Sequence, residues 1–193
     1  MRLVVVGPSH SGKSTTVVAL LRLMADRLGI QWGTYELRFI TLDLTDNTAG
    51  HLARGEPRRR EVEWTSERVE ARALEFEKTV ATLVLADAPG KIDEHTRRLL
   101  RPADAVLLIA PSEDALRPWE ELAHELSLPV LGRIVSVTLG SGTKSHWDPA
   151  TRRGILRGLD PSAVAVPHPL ALPADTQAAL IELARTIWED VAG

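Results

Sequence analysis

The chain has 193 residues, of which 44% are hydrophobic and 25% are charged, so it can bury a core of the size expected for one domain spanning residues 1–193. Its formal net charge of -3 gives no clear signal for nucleic-acid binding, and its apolar runs are too short to cross a bilayer. Because there is no cysteine, disulfides and thiolate metal sites are excluded. Since no apolar run could cross a membrane and the run 3–6 is too short for a signal-peptide core, we expect a cytoplasmic protein without membrane association.

Short apolar runs alternate with helical patterns, which predicts an α/β fold: a three-layer α/β/α sandwich around a mostly parallel sheet. Thr65 is expected to cap one helix, and Gly29 to end another. The predicted strands are 3–6, 37–43, 82–87, 105–110, 130–137 and 163–166. The predicted helices are 15–28, 66–78, 114–126, 148–158 and 175–191. Residues 44–64 and 139–147 have no predicted element, and loops of this length are usually lids or binding segments, or else disordered.

The turn after the first strand has the spacing G-x-x-x-x-G-K-S and leads into a helix. Glycines at its two ends let the backbone amides point inward, where they can surround a phosphate at a helix N-terminus. Lys13 would bridge the β- and γ-phosphate oxygens, and the Ser14 hydroxyl would be a ligand for Mg²⁺. The predicted nucleotide-binding residues of this turn are Gly7, Pro8, Ser9, His10, Ser11, Gly12, Lys13, Ser14 and Thr15.

A second motif follows the apolar strand 82–87, which ends in Asp87 and continues as Ala88-Pro89-Gly90. The carboxyl ends of parallel strands meet at one edge of a sheet, so Asp87 is expected to reach the metal held by Ser14. Gly90 would offer its N–H to the γ-phosphate. The alternative is that Asp87 only caps the next helix.

Together these two motifs resemble the P-loop NTPase superfamily, and the implied strand order is similar to its kinase–GTPase branch, which includes signal-recognition, partitioning and dethiobiotin-synthetase-like proteins. Residues 164–169 resemble the strand and turn that lie beside the base in the dethiobiotin-synthetase-like group. The cradle and the stretch 43–50, an imperfect D-x-x-x-D-x-x-G, also resemble the kinase-like P-loop domain associated with some CRISPR proteins.

Asp43 is a candidate catalytic residue beside Lys13 and Asp87, because a carboxylate at the end of the second strand can accept a proton from an attacking hydroxyl or orient a water molecule. The alternative is a turn-forming aspartate. Asp46, further into the loop, is a poorer candidate. The triplet 58–60, Arg-Arg-Arg, would either contact an anionic substrate or form a solvated face.

The base preference follows from what the sequence lacks. Guanine-specific members of the superfamily carry an N/T-K-x-D element, and the nearest text, residues 143–146, lacks the aspartate, so ATP is expected, with GTP as the alternative. The extra lysine of partitioning proteins is replaced by Pro8, which argues against their sandwich dimer. The six histidines lack the i, i+4 spacing of a helical zinc site, so Mg²⁺ is the expected metal.

Two functions remain open at this point. The first is an enzyme, an ATP hydrolase or small-molecule kinase that passes the γ-phosphoryl group to water or to a small acceptor. The second is a GTPase-like switch, in which residues 87–90 sense the γ-phosphate and reorder a surface that binds a protein partner.

Overall fold

The computed structural model of the protein describes residues 1–44, 47–57 and 63–192. Two sequence predictions, those for Asp46 and for the arginine triplet 58–60, lie outside these residues. The strands are β1 Arg2–Val6, β2 Leu37–Thr41, β3 Leu83–Asp87, β4 Ala105–Ala110, β5 Val130–Val137, β6 His146–Asp148 and β7 Arg153–Arg157. The helices are α1 Lys13–Leu28, α2 Thr48–Arg54, α3 Ser66–Lys78, α4 Glu94–Leu100, α5 Glu113–Glu125 and α6 Ala174–Ala192.

The strands of the described residues form one seven-stranded sheet in the order β2-β3-β1-β4-β5-β7-β6. All neighbouring pairs are parallel except β6 and β7. β1 lies between β3 and β4, so the turn after β1 emerges at the middle of the sheet edge where the carboxyl ends of the strands meet. This is the position at which open α/β sheets bind ligands.

Helices cover both faces of the sheet. Alternate residues of β1 point to opposite faces, with Leu3 in one core and Val4 in the other. The core that contains Leu3 is completed by apolar residues of α1, α2 and α6, and the core that contains Val4 by residues of α3, α4 and α5. The predicted three-layer sandwich with a mostly parallel sheet is therefore confirmed.

Several helix boundaries follow the predicted signals. Gly29 adopts a left-handed conformation after α1 (φ 74°), and its N–H donates to the carbonyl of Met24. The Thr65 side chain accepts a hydrogen bond from the N–H of Arg68 at the start of α3. No helix in the described part of the chain combines the length and apolar character that a membrane crossing requires.

The predicted helix 148–158 is wrong, because this segment forms a β-hairpin. Asp148 ends β6, and its carboxylate accepts hydrogen bonds from the N–H of Ala150 (3.0 Å) and the hydroxyl of Thr151 (2.6 Å). Arg152 then has φ 57°, and the chain returns as β7. An aspartate followed by proline is a signal for a helix start and also for a tight turn, and here the turn forms.

Other predicted boundaries also differ. Residues 163–166 do not form a strand: Val164 N–H donates to the carbonyl of Pro161, closing a short 3₁₀ turn, and Val166 N–H donates to Leu52 of α2. β2 ends at Thr41, so Asp43 lies two residues beyond the strand rather than in it. α2 occupies part of the unassigned stretch 44–64, and a 3₁₀ turn and β6 account for most of 139–147.

Candidate functional site

The turn between β1 and α1, called the cradle here, contains two glycines. Any larger residue at either position would displace a neighbouring segment. Gly7 has φ 153°, and a Cβ placed on it would lie 1.8 Å from the carbonyl oxygen of Ile109 in β4. Gly12 is left-handed (φ 87°), and a Cβ there would lie 2.7 Å from Cδ1 of Leu159. The glycine spacing of the motif therefore matches two points of the turn that leave no room for a Cβ.

Lys13 is the first residue of α1 and is buried, with 7% of its surface exposed. Its Nζ donates to the carbonyl oxygen of Pro8 at 2.8 Å, so the ammonium group lies across the cradle. Burial lowers the pKa of Lys13 below its usual range, and the nearby carboxylates of Asp87 and Asp43 oppose this shift. The lysine is a cation with little solvation, which favours contact with an anion.

Ser14 and Asp87 form the second part of the site. The Ser14 hydroxyl donates to Oδ2 of Asp87 at 2.6 Å, and Asp87 is 2% exposed. The pair consists of two oxygen ligands of the kind that Mg²⁺ prefers, with the carboxylate held at the carboxyl end of β3. Residues 1–44, 47–57 and 63–192 contain no cluster of three or more His, Cys, Asp or Glu suited to a metal. The pair fits Mg²⁺, which keeps several waters and typically binds through one or two carboxylates together with phosphates.

Gly90 packs directly against the cradle. A Cβ on Gly90 would lie 2.6 Å from the backbone nitrogen of Ser9 and 2.7 Å from its Cα. The Ser9 hydroxyl also donates to the carbonyl of Gly90 at 3.5 Å. The two motifs that the sequence places 81 residues apart are thus in contact, and movement of residues 87–90 would be transmitted to the cradle.

A cavity of about 520 Å³, called the cradle cavity here, opens beside these residues. Gly7 and Pro8 do not line it: Gly7 packs on β4, and Pro8 contributes its carbonyl to Lys13. The Ser11 hydroxyl is buried and has no hydrogen-bond partner among the described residues, which suits a site built for a polar ligand. The predicted residues that line the cavity are Ser9, His10, Ser11, Gly12, Lys13, Ser14, Thr15, Asp43, Asp87 and Gly90.

Some lining residues were not predicted from the sequence. Thr48 at the start of α2 and Leu159 and Pro161 after β7 also line the cradle cavity. Leu159 and Pro161 follow the carboxyl end of β7, so a correct strand prediction would have placed them at this edge of the sheet. The incorrect helix prediction over 148–158 prevented that. Thr48 lies in a stretch with no predicted helix or strand, and in the D-x-x-x-D-x-x-G pattern of residues 43–50 it occupies an unspecified position.

A second cavity of about 360 Å³ adjoins the cradle on the side of β5 and β7, and is called the β5–β7 cavity here. It shares residues 10–12 with the cradle cavity and has apolar walls from Pro111, Leu139 and Leu159. Residues 164–169, which resemble a base-side turn, do not line it; Val164 is buried, and its carbonyl accepts from Arg22 of α1. Ser145 belongs to residues 143–146, the segment most similar to a guanine-binding element, and does not line this cavity either. It is buried, and its N–H donates a hydrogen bond to Asp175.

Asp43 lies where three cavities meet. It lines the cradle cavity, a cavity of about 390 Å³ between β2 and α3, and a cavity of about 380 Å³ on the side of α4. The cavity near α4 also shares Ser9 and Gly90 with the cradle cavity. Asp43 therefore lies at the boundary between the cradle cavity and each of the two other cavities.

No protein-family model matches the sequence, and no curated protein matches it. Solved structures do match the fold. The cell division ATPase MinD of Pyrococcus furiosus is 15% identical, with 97% of this chain and 98% of that chain covered and a TM-score of 0.64. The septum site-determining protein MinD of Pyrococcus horikoshii, complexed with Mg-ADP, is also 15% identical, with 100% and 97% covered and a TM-score of 0.64.

A nucleotide-binding protein of Archaeoglobus fulgidus in complex with ADP is similar over 96% of this chain and 86% of that chain, at 15% identity and a TM-score of 0.53. At these identities the similarity concerns the path of the chain, and it extends over almost the whole of it. The chain therefore has the fold of these MinD structures, an α/β fold with a mostly parallel sheet, as the sequence predicted.

Proposed function

We propose that this protein binds Mg²⁺·ATP in the cradle cavity and transfers the γ-phosphoryl group to water or to a small acceptor. The observation that carries the proposal is the convergence of the Lys13 ammonium group and the Ser14–Asp87 pair on one cavity at the end of β1. Phosphoryl transfer requires a cation on the phosphates, ligands for a metal and an oriented acceptor, and the residues of this cavity can supply the first two.

Each residue has a distinct task in this proposal. The backbone amides of the cradle and Lys13 bind the β- and γ-phosphates, and Ser14 and Asp87 hold Mg²⁺. When bound, the metal ion offsets the negative charge that develops on the phosphate oxygens. Asp43, which reaches the cradle cavity from beyond β2, accepts the proton of the attacking hydroxyl or orients the attacking water.

The nucleotides present in two structures of the same fold support a nucleoside triphosphate as the ligand, since one contains Mg-ADP and the other ADP. The apolar walls of the β5–β7 cavity would suit a base, and the missing guanine element favours ATP over GTP. Pro8 stands in place of the extra lysine of partitioning proteins, so we propose that turnover does not use a sandwich dimer of that kind.

A thermal-shift titration with ATP, GTP and ADP in the presence of Mg²⁺ tests this proposal. ATP at about 100 times its Kd should stabilise the protein by about 2.7 kcal/mol. Lys13→Ala should abolish this stabilisation, because the buried cation on the phosphates is lost. Lys144→Ala is the matched control, since Lys144 is exposed and lines none of the cavities described. Equal stabilisation of the Lys13→Ala variant would contradict the proposal.

The close approach of Gly90 to Ser9 favours a second candidate function, a nucleotide-dependent switch. A γ-phosphate that draws in Gly90 would move residues 87–90 and the surface attached to them. A turnover rate that responds only to a protein partner, and to no small molecule, would favour this function over the first.

A further inference from the structure

The cavity of about 380 Å³ on the side of α4, called the Trp64 cavity here, adjoins the place where a γ-phosphate would lie. It shares Ser9, Asp43 and Gly90 with the cradle cavity. Among the described residues, the cavity between β2 and α3 shares only Asp43 with the cradle cavity. A small molecule in the Trp64 cavity is therefore adjacent both to the cradle and to the proposed proton acceptor.

Rings form much of the wall of this cavity. The indole of Trp64 and the imidazole of His95 are half-buried, with centroids 5.7 Å apart and planes tilted by 37°. Pro89 adds a third ring from the segment between Asp87 and Gly90. Aromatic walls bind the flat faces of rings, and a volume of this size suits a small ligand rather than a polypeptide segment.

Among the residues that the structure describes, the charges around the cavity disfavour an anion. The Lys91 ammonium group lies 3.6 Å from the Asp93 carboxylate, which also accepts from the N–H of Thr96. Beyond this pair, a triphosphate bound in the adjoining cradle cavity would be strongly negative. A neutral acceptor meets none of this repulsion.

We propose that the Trp64 cavity binds the γ-phosphoryl acceptor and that this acceptor is a neutral alcohol carried on a ring, which lies against Trp64 with its hydroxyl directed to Asp43. This inference rests on the proposed function. In the reaction, the hydroxyl oxygen bonds to the γ-phosphorus and its proton passes to Asp43. The bond from the γ-phosphorus to the β–γ bridging oxygen breaks, and ADP leaves with the electron pair.

The test uses the full chain with Mg²⁺·ATP and four neutral ring alcohols: adenosine and uridine as nucleosides, D-glucose and D-ribose as sugars. ADP formation is followed together with the phosphorylated product by mass spectrometry. We expect one class to raise ADP formation about tenfold or more above the rate with water alone and to yield its phosphate ester. The class that responds distinguishes a nucleoside from a sugar.

Variants of Trp64 then assign the cavity. Trp64→Ala should raise the acceptor KM by roughly tenfold to a hundredfold, the usual effect of losing a stacked ring, and leave the Kd of ATP unchanged. Trp64→Phe should restore most of the acceptor affinity because it keeps a ring. A merely structural role would instead change ATP affinity and acceptor KM together, and that result would overturn the proposal.

Failure of the acceptor proposal can be distinguished from failure of the proposed function. If ATP binds and none of the four alcohols raises ADP formation, the acceptor proposal is overturned and water remains the acceptor of the proposed function. If ATP does not bind, the proposed function fails and the acceptor proposal fails with it.

Discussion

Replacing Gly90 by alanine tests whether the contact between the two motifs matters for turnover. Gly90 does not have a positive φ, so alanine fits its backbone conformation, and the effect arises from space alone. The new Cβ would lie 2.6 Å from the Ser9 nitrogen and 2.7 Å from its Cα, whereas carbon atoms in contact are separated by about 3.5–4.0 Å. Since both neighbours are backbone atoms, the cradle and residues 87–90 must separate by about 1 Å.

A displacement of about 1 Å in a group that positions phosphate is expected to reduce turnover by about a hundredfold. The overlap should also cost about 1–3 kcal/mol of stability, and each kcal/mol corresponds to about 2–4 °C in Tm for a chain of this size. The assay is steady-state ADP formation with Mg²⁺·ATP at a temperature well below the Tm of the variant. This condition separates lost turnover from unfolding.

The matched control is Gly140→Ala, because a Cβ on Gly140 meets no atom of the described residues within 4 Å. This variant should keep both the turnover and the Tm of the wild type. The reasoning is refuted if Gly90→Ala turns over within about twofold of the wild type, since the contact with Ser9 would then not position the phosphate groups.

Two further predictions concern carboxylates. Asp43→Asn should leave the Kd of ATP unchanged and lower turnover by about a hundredfold, the usual contribution of a general base, and an unchanged rate in steady-state assays would remove Asp43 from the catalytic residues. The pKa of Asp175 is lowered from 3.8 to about 2, because the Arg157 side chain and the N–H of Ser145 donate to its carboxylate. A carboxyl whose pKa is lower in the folded than in the unfolded protein stabilises the fold at pH values above the pKa of the unfolded chain. This stabilisation is lost as the pH falls through the pKa of the folded protein. The difference in Tm between wild type and Asp175→Asn should therefore shrink between about pH 5 and about pH 2, and a constant difference would contradict the assignment.

The turn that forms the cradle could be predicted because its requirements are local. Nine consecutive residues, a preceding apolar strand and a following helix specify the turn, and no distant contact is needed to recognise them. The same holds for Asp87, which follows a strand buried along its whole length. Ser14 and Asp87 could then be paired by the general rule that parallel strands end at one edge.

The hairpin β6–β7 could not be predicted from local signals. Asp148 accepts from Ala150 and Thr151 in the structure, and the same side-chain acceptor would cap a helix at that position. What decides between them is pairing of β7 with β5, a contact between distant segments. The same error affected the predicted site, because Leu159, which follows β7, lines the cradle cavity and was not predicted.

The contact between Trp64 and His95 also could not be predicted from the sequence. Trp64 precedes α3 and His95 lies in the seven-residue α4, which is too short to give a clear helical period. Their rings meet because α3 packs beside α4 on one face of the sheet. The ring contact therefore depends on tertiary packing rather than on spacing along the chain.

The choice between hydrolysis and transfer depends on what lies beside Asp43. A hydrolase needs one ordered water molecule near this carboxylate, which the cradle cavity alone could hold. A transferase must also bind an alcohol and keep water away from the γ-phosphate. The ring-walled Trp64 cavity, which joins the cradle cavity at Ser9, Asp43 and Gly90, would hold such an alcohol. Its presence next to the proposed proton acceptor favours transfer to an alcohol over hydrolysis. The ratio of phosphate ester to free phosphate measures how the γ-phosphoryl group divides between the alcohol and water.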